Sequence, residues 1–245
     1  MHTATLPAQS IERPRFFANA TLLMAILVLL SFPLTYYLPA LTRAQSFQLL
    51  YHVHGLACFA WIGLLAWQAR LVAHGRIARH REIGLCGFAL SGALILSGYW
   101  IAQRGGENRV AQGADQPWEF TYYNLIDISL FALLMIGAIV LVTRHVDWHR
   151  RLIYIAALCL VAPALTRWTL KLPLANSLLL DLLAYVLVTI PFLVALAAHD
   201  RRALGRIHAA TLTGAALVLP LQLSSPWIAR SEWWNRIAPA LLGSG

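Results

Sequence analysis

Charge is scarce in this chain. Only 12% of its 245 residues are Asp, Glu, Lys or Arg, about half of what a soluble domain carries. That excludes a water-exposed globule, and it excludes disorder, which needs charge and little apolar content. Acidic residues number ten against 19 basic ones. Cys58, Cys86 and Cys159 lie in apolar stretches, odd in number and without CxxC spacing. This excludes a disulfide framework or zinc ribbon and predicts three small core side chains. There is no glycine-rich phosphate loop, GxSxG elbow or HExxH. Phosphoryl transfer, serine hydrolysis and zincin proteolysis therefore find no support, and the balance leans away from an enzyme.

What the chain has instead is apolar mass, 59% of its residues, with a mean hydropathy of +0.64. It comes in blocks near 16–39, 47–73, 83–102, 120–143, 151–169, 177–198 and 209–229. Each is long enough to cross about 30 Å of hydrocarbon as a helix. The expectation is an all-α, polytopic transmembrane bundle of about seven helices over 16–229. A cytoplasmic segment, 1–15, precedes it and an interfacial tail, 230–245, follows. Thr42 and Ala44 make a weak cleavage-like pair, but the first apolar run is too long for a signal peptide, so a retained helix is predicted.

The net charge of +9 would suggest nucleic acid in a soluble protein. Here the arginines fall between apolar blocks and point to lipid headgroups, so the bilayer is the expected partner and nucleic acid is not. With the N-terminus cytoplasmic, twelve Lys and Arg fall on the inner side and seven on the outer. That predicts N-in and C-out in a bacterial inner membrane, with an aromatic belt at the outer face.

Histidines punctuate the three inner loops in pairs, His74 with His80, His145 with His149 and His199 with His208. Helices two to seven therefore read as three related hairpins behind a first helix. The run HGLACFAWIGLLAWQARLVAHGRIARHREIG, the aspartate of YYNLIDISLFALL, the stretch DWHRRLIYIAALCLVAPALTR and the late GRIHAAT together resemble a group of bacterial polytopic membrane proteins of unassigned function. The resemblance spans about residues 50–215. It implies a seven-helix architecture and no particular reaction.

Ionisable side chains inside apolar spans are costly and persist mostly where they pair or line a wet cavity. His52 and His54, Asn124 and Asp127, Arg167, and Asp181 all fall in the outer half of the predicted spans. They are expected to converge on a cavity for a small polar ligand or protons. The predicted pairing is Asp127 with Arg167, because a guanidinium would keep the carboxylate charged. Helical spacing puts His54, Cys58, Trp61 and Gln68 on one stripe.

A divalent metal suits imidazole and carboxylate donors, and a second candidate metal site is the inner set His80, His145, His149 and His208. That set would serve a membrane oxidoreductase or hydroxylase, although HxxHH boxes are absent. Haem is not expected at the outer site, because His52 and His54 are about 200° apart on one helix. A third alternative is a non-catalytic accessory subunit whose polar residues only lock helices. Gly84, Gly87, Ser91 and Gly98 predict a central third helix. Residues 103–118 read as a polar loop, solvated or closing over the cavity.

Overall fold

The computed structural model describes residues 15–44, 46–169 and 178–243. It is all helix and turn among these residues, in the order α1 (Arg15–Leu30), a π-helical turn (Pro33–Tyr37), α2 (Leu38–Leu41), α3 (Leu49–Ala73), α4 (Ile77–Ala111), α5 (Glu119–Leu141), α6 (Val146–Thr169), α7 (Leu178–Ala184), a second π-helical turn (Tyr185–Thr189), α8 (Ile190–Leu204), α9 (Ala209–Ala229) and α10 (Glu232–Leu242). Six spans are long and apolar enough to cross a membrane, with α7 and α8 counted as one, or seven if the first, bent by 45° after Leu30, is included. The chain is a multi-pass helical membrane protein. Of the predicted N-terminal segment only Arg15 is described, and Lys171 also lies outside the described residues.

Successive helices are antiparallel, so the bundle has two ends. The histidine end carries the turns after α3, α5 and α8. The tail end carries α10. Gly75 and Gly205 make tight reversals at the histidine end with φ of 73° and 72°, a backbone region that side chains rarely tolerate. The Gly205 N–H closes on the Arg201 carbonyl and caps α8.

The axis of the bundle is α6. Ile155, Ala156, Ala157, Leu158 and Cys159 are wholly buried there, and α1, α5, α7 and α9 pack around it. Two adjacent alanines let those backbones approach closely, and in lipid close van der Waals packing drives helix association. The third predicted span, α4, is not central. Only 17% of its most apolar stretch is buried, against 61% for α6. Its small residues serve one side: Gly98 admits Ile128, and Ser91 accepts a hydrogen bond from Trp61 Nε1 at 2.8 Å. Gly84 meets nothing. Cys159 is buried as predicted, Cys58 is half-buried, and Cys86 is exposed on the bundle surface, a departure from the expected core role.

The polar loop predicted over 103–118 is helical as far as Ala111. Gly106 explains how it packs, since a Cβ there would stand 2.3 Å from the Trp118 ring. The tail is also ordered. Ser231 Oγ caps α10 by accepting from Trp234 N, and the buried Trp234 donates Nε1–H to the Trp118 carbonyl at 2.8 Å.

At the histidine end a buried ion pair fastens α6 to α8. Arg151 and Asp200 are both fully buried, and Arg151 donates to Asp200 Oδ1 through Nε at 2.9 Å and Nη2 at 2.5 Å. Asp200 Oδ2 accepts from Thr211 Oγ1 at 2.5 Å and from His208 N at 3.1 Å, tying in α9. Arg151 therefore does not face headgroups as its basic neighbours suggested. Each polar hydrogen of the pair that the bonds above involve has an acceptor, the condition under which a buried pair is tolerable.

Candidate functional site

The six predicted outer residues divide among separate places. Asp127, 4% exposed, lies eight residues into α5, about 12 Å down the helix. Its Oδ1 accepts from Gln222 Nε2 of α9 at 2.7 Å, and its Oδ2 from the Tyr185 hydroxyl of the second π-turn at 3.3 Å. Gln222 is itself held, its Oε1 accepting from Thr189 Oγ1 at 2.9 Å. Tyr185, Thr189 and Gln222 are all buried. Pro191 stands two residues past the π-turn and has no N–H for the carbonyl four residues back, that of Leu187, which favours a widened turn there.

One helical turn nearer the tail end stands a second pair of the same chemistry. The Tyr123 hydroxyl of α5 donates to Asp181 Oδ2 of α7 at 3.1 Å. Asp181 also accepts from Arg230 Nη2, and Arg230 Nε reaches Glu119 Oε1 at 2.8 Å. Partial burial works against the Arg230 charge, yet Asp181 and Glu119 outweigh it and hold the guanidinium above its ordinary pKa. The two tyrosines lie within electrostatic range of each other. Together these residues form a ladder with two Tyr–Asp rungs, reaching from a charged cluster at the tail end into the middle of the bundle.

Arg167 does not pair with Asp127. Among the described residues no carboxylate comes within ion-pair distance of it, and its guanidinium lies over the Phe32 ring, 4.2 Å from the centroid. It feels Cys58, and His54 feels it. Three helices meet there: His54 of α3 bonds Ser97 Oγ of α4 at 2.8 Å through Nδ1 and Cys58 Sγ at 3.4 Å through Nε2, while Arg167 comes from α6. His52 is exposed and bonds the Tyr36 hydroxyl at 2.5 Å. Asn124 returns to its own helix, donating to the Phe120 carbonyl at 3.3 Å. The residues expected in a single cavity thus divide into a ladder at Asp127 and Asp181, a cluster at Arg167 and His54, and His52 and Asn124, each with a local partner of its own.

No family model, curated protein or solved structure matches the chain.

The inner histidines do not gather. His149 Nδ1 bonds the Ala138 carbonyl at 2.9 Å, His208 Nδ1 accepts from Ala210 N, and His145 is exposed. His80 comes within electrostatic range of His149. Among the described residues no three His, Cys, Asp or Glu side chains are placed to hold a metal ion. His149 and His208 instead bond nearby backbone, and His145 faces outward, while His80 Nδ1 is buried without a partner.

The ladder joins residues that spacing had flagged, Asp127 and Asp181, to ones it had passed over: Tyr123, Tyr185, Thr189, Gln222 and Arg230. A signal was present. The sequence reads Tyr-x-x-x-Asp in α5 and Asp-x-x-x-Tyr at the end of α7, and each spacing puts both polar groups on one helix face.

Proposed function

We propose that the protein is an inner-membrane proton-binding protein in which Asp127 carries the proton and exchanges it with the outer face along the ladder. One observation carries this reading. Asp127 is a buried carboxylate whose two hydrogen-bond partners, Gln222 and Tyr185, are both neutral. A bare anion in a low-dielectric interior costs several kcal/mol, and intramembrane carboxylates of this kind mark proton relays. The Tyr185 bond can run either way: the hydroxyl donates to the carboxylate, and the acid form donates to the hydroxyl oxygen. Asp181, one turn towards the tail, is the half-buried acceptor that meets water.

The orientation belongs to the same proposal. With the arginine-rich turns cytoplasmic and α10 on the outer face, the ladder opens outward. The group of bacterial polytopic proteins that the sequence resembles is the expected family.

Infrared difference spectroscopy on the protein in detergent tests the reading. The carbonyl band of a protonated carboxylic acid should be present in the wild type, shift in deuterium oxide, and vanish in Asp127→Asn while folding persists. Loss of pH-driven proton uptake in proteoliposomes of the same variant should accompany it. An accumulating, folded Asp127→Asn protein that keeps both signals would overturn the proposal. If the variant fails to accumulate, Asp127→Glu, which keeps the acid, should restore both signals.

A further inference from the structure

Arg167 is a cation without an anion. It stands two residues from the end of α6, half-buried, and none of the described carboxylates reaches it. Its Nε is buried with no hydrogen-bond partner. Two features offset part of the charge, the carbonyl end of α6 and the face of Phe32. Neither supplies a counter-charge, since a helix end and a ring face are weak attractions beside the cost of a buried guanidinium without an anion.

The surrounding groups define what would complete the site. Ser97 donates its one hydrogen to the Ala93 carbonyl at 2.6 Å, so Ser97 can only accept from His54 Nδ1. The imidazole proton is therefore on Nδ1, and Nε2 accepts from Cys58. A neutral ring satisfies both bonds without placing a second cation beside the guanidinium, so Arg167 carries the charge of the cluster. The cluster offers one positive charge and a planar fork of N–H donors.

We propose that Arg167, standing over Phe32, forms a binding site for a singly charged oxyanion at the tail end of the bundle. Carboxylates and phosphodiesters share the required chemistry, two oxygens that a guanidinium fork can engage together. A free carboxylate and a lipid phosphate are two sources of it. The site is separate from the proton ladder, because Asp127 is bonded to Gln222 and Tyr185 whereas Arg167 lies over Phe32.

The test uses full-length protein, delipidated in detergent. Thermal unfolding is followed during titration with sodium acetate, against sodium chloride at equal ionic strength. Native mass spectrometry is then run after adding phosphatidylglycerol or a diacylglycerol of the same chains. A free-anion site gives stabilisation by acetate beyond that by chloride. A lipid site gives retention of phosphatidylglycerol but not of diacylglycerol. Either effect should disappear in Arg167→Gln and persist in Arg109→Gln, whose guanidinium also lies over a ring, Phe120, on the protein surface. If Arg167→Gln does not accumulate, Arg167→Lys keeps the charge but not the fork, and binding should weaken roughly tenfold. The proposal is overturned if neither effect is seen, if Arg109→Gln abolishes it equally, or if it survives Arg167→Gln.

Discussion

Tyr185 and Asp127 are hydrogen-bonded across 58 residues of sequence, the same separation that joins Tyr123 to Asp181. The equality follows from geometry. In α5 the tyrosine comes first and the aspartate four residues deeper, and in α7 the order is reversed. Because both helices run inward from the tail end, the swap makes each tyrosine face an aspartate. The two rungs differ in depth and in backing: Asp181 is half-buried and backed by Arg230, whereas Asp127 is buried and backed by the Gln222 amide.

That difference predicts unequal costs for the two Tyr→Phe substitutions. Tyr185→Phe leaves Asp127 Oδ2 buried without a partner, a loss of about 1–3 kcal/mol. Tyr123→Phe leaves Asp181 with Arg230 and partial access to solvent, and should cost at most about 1 kcal/mol. Chemical unfolding of the two variants in the same detergent measures both, and equal losses would show that depth does not govern the ladder.

The fold was legible because a bilayer imposes a length: uninterrupted apolar runs of about 20 residues have few other uses. Asp127 was legible for the related reason that a carboxylate in such a run is conspicuous. Its partners were not. Charge complementarity singled out Arg167, but a carboxylate that can be neutral is satisfied by an amide and a hydroxyl, and these carry no label in an apolar helix. Arg151 was hidden in the opposite way. It sits in the basic run RHVDWHRR, where every neighbour reads as headgroup-facing, and only the approach of Asp200 from α8 shows that it points inward. The axial role of α6 escaped because AALC looks less like a packing motif than the glycines of α4.

The Arg151–Asp200 pair gives a sharper test of energetics. Arg151→Met removes the cation and leaves Asp200 buried among two remaining donors, Thr211 and His208 N. Breaking one side of a buried pair costs about 3–5 kcal/mol, enough to reduce accumulation of folded protein severely. The double variant Arg151→Met with Asp200→Leu removes both charges and should recover part of that loss. Comparing unfolding midpoints of the single and double variants measures the coupling, and additive losses would mean the pair is not the unit described.

His208 gives the histidine end a pH dependence of defined sign. Its Nδ1 caps α9 by accepting from Ala210 N at 3.1 Å, a bond only the neutral ring can make. Burial, and then the Arg151 guanidinium, lower its pKa below the ordinary 6.5. A group depressed in the folded state contributes stability above its unfolded pKa and loses it as pH falls through the folded value. Unfolding temperature should therefore be level above about pH 7 and decline below about pH 6 on this account. His208→Asn keeps a capping acceptor that does not titrate, so the decline should become shallower. An unchanged profile would assign the acid sensitivity to other groups.

Gly105 and Gly106 are adjacent in α4 and predict opposite outcomes when replaced by alanine. A methyl at Gly105 meets nothing within 4 Å, so Gly105→Ala gains the ordinary helical preference for alanine, about 0.5–1 kcal/mol. A methyl at Gly106 would stand 2.3 Å and 2.4 Å from two atoms of the Trp118 ring, and the ring cannot yield cheaply. The Trp118 backbone carbonyl receives Trp234 Nε1, and Tyr122 meets the Trp234 ring edge to face at 5.0 Å. Displacing Trp118 therefore loosens α10 from the bundle. Gly106→Ala should cost about 1–3 kcal/mol, the usual range for overpacking, and should make α10 cleavable under limited proteolysis. Gly105→Ala should leave it protected. Equal protease sensitivity in the two variants would show that the Trp118 contact does not anchor the tail.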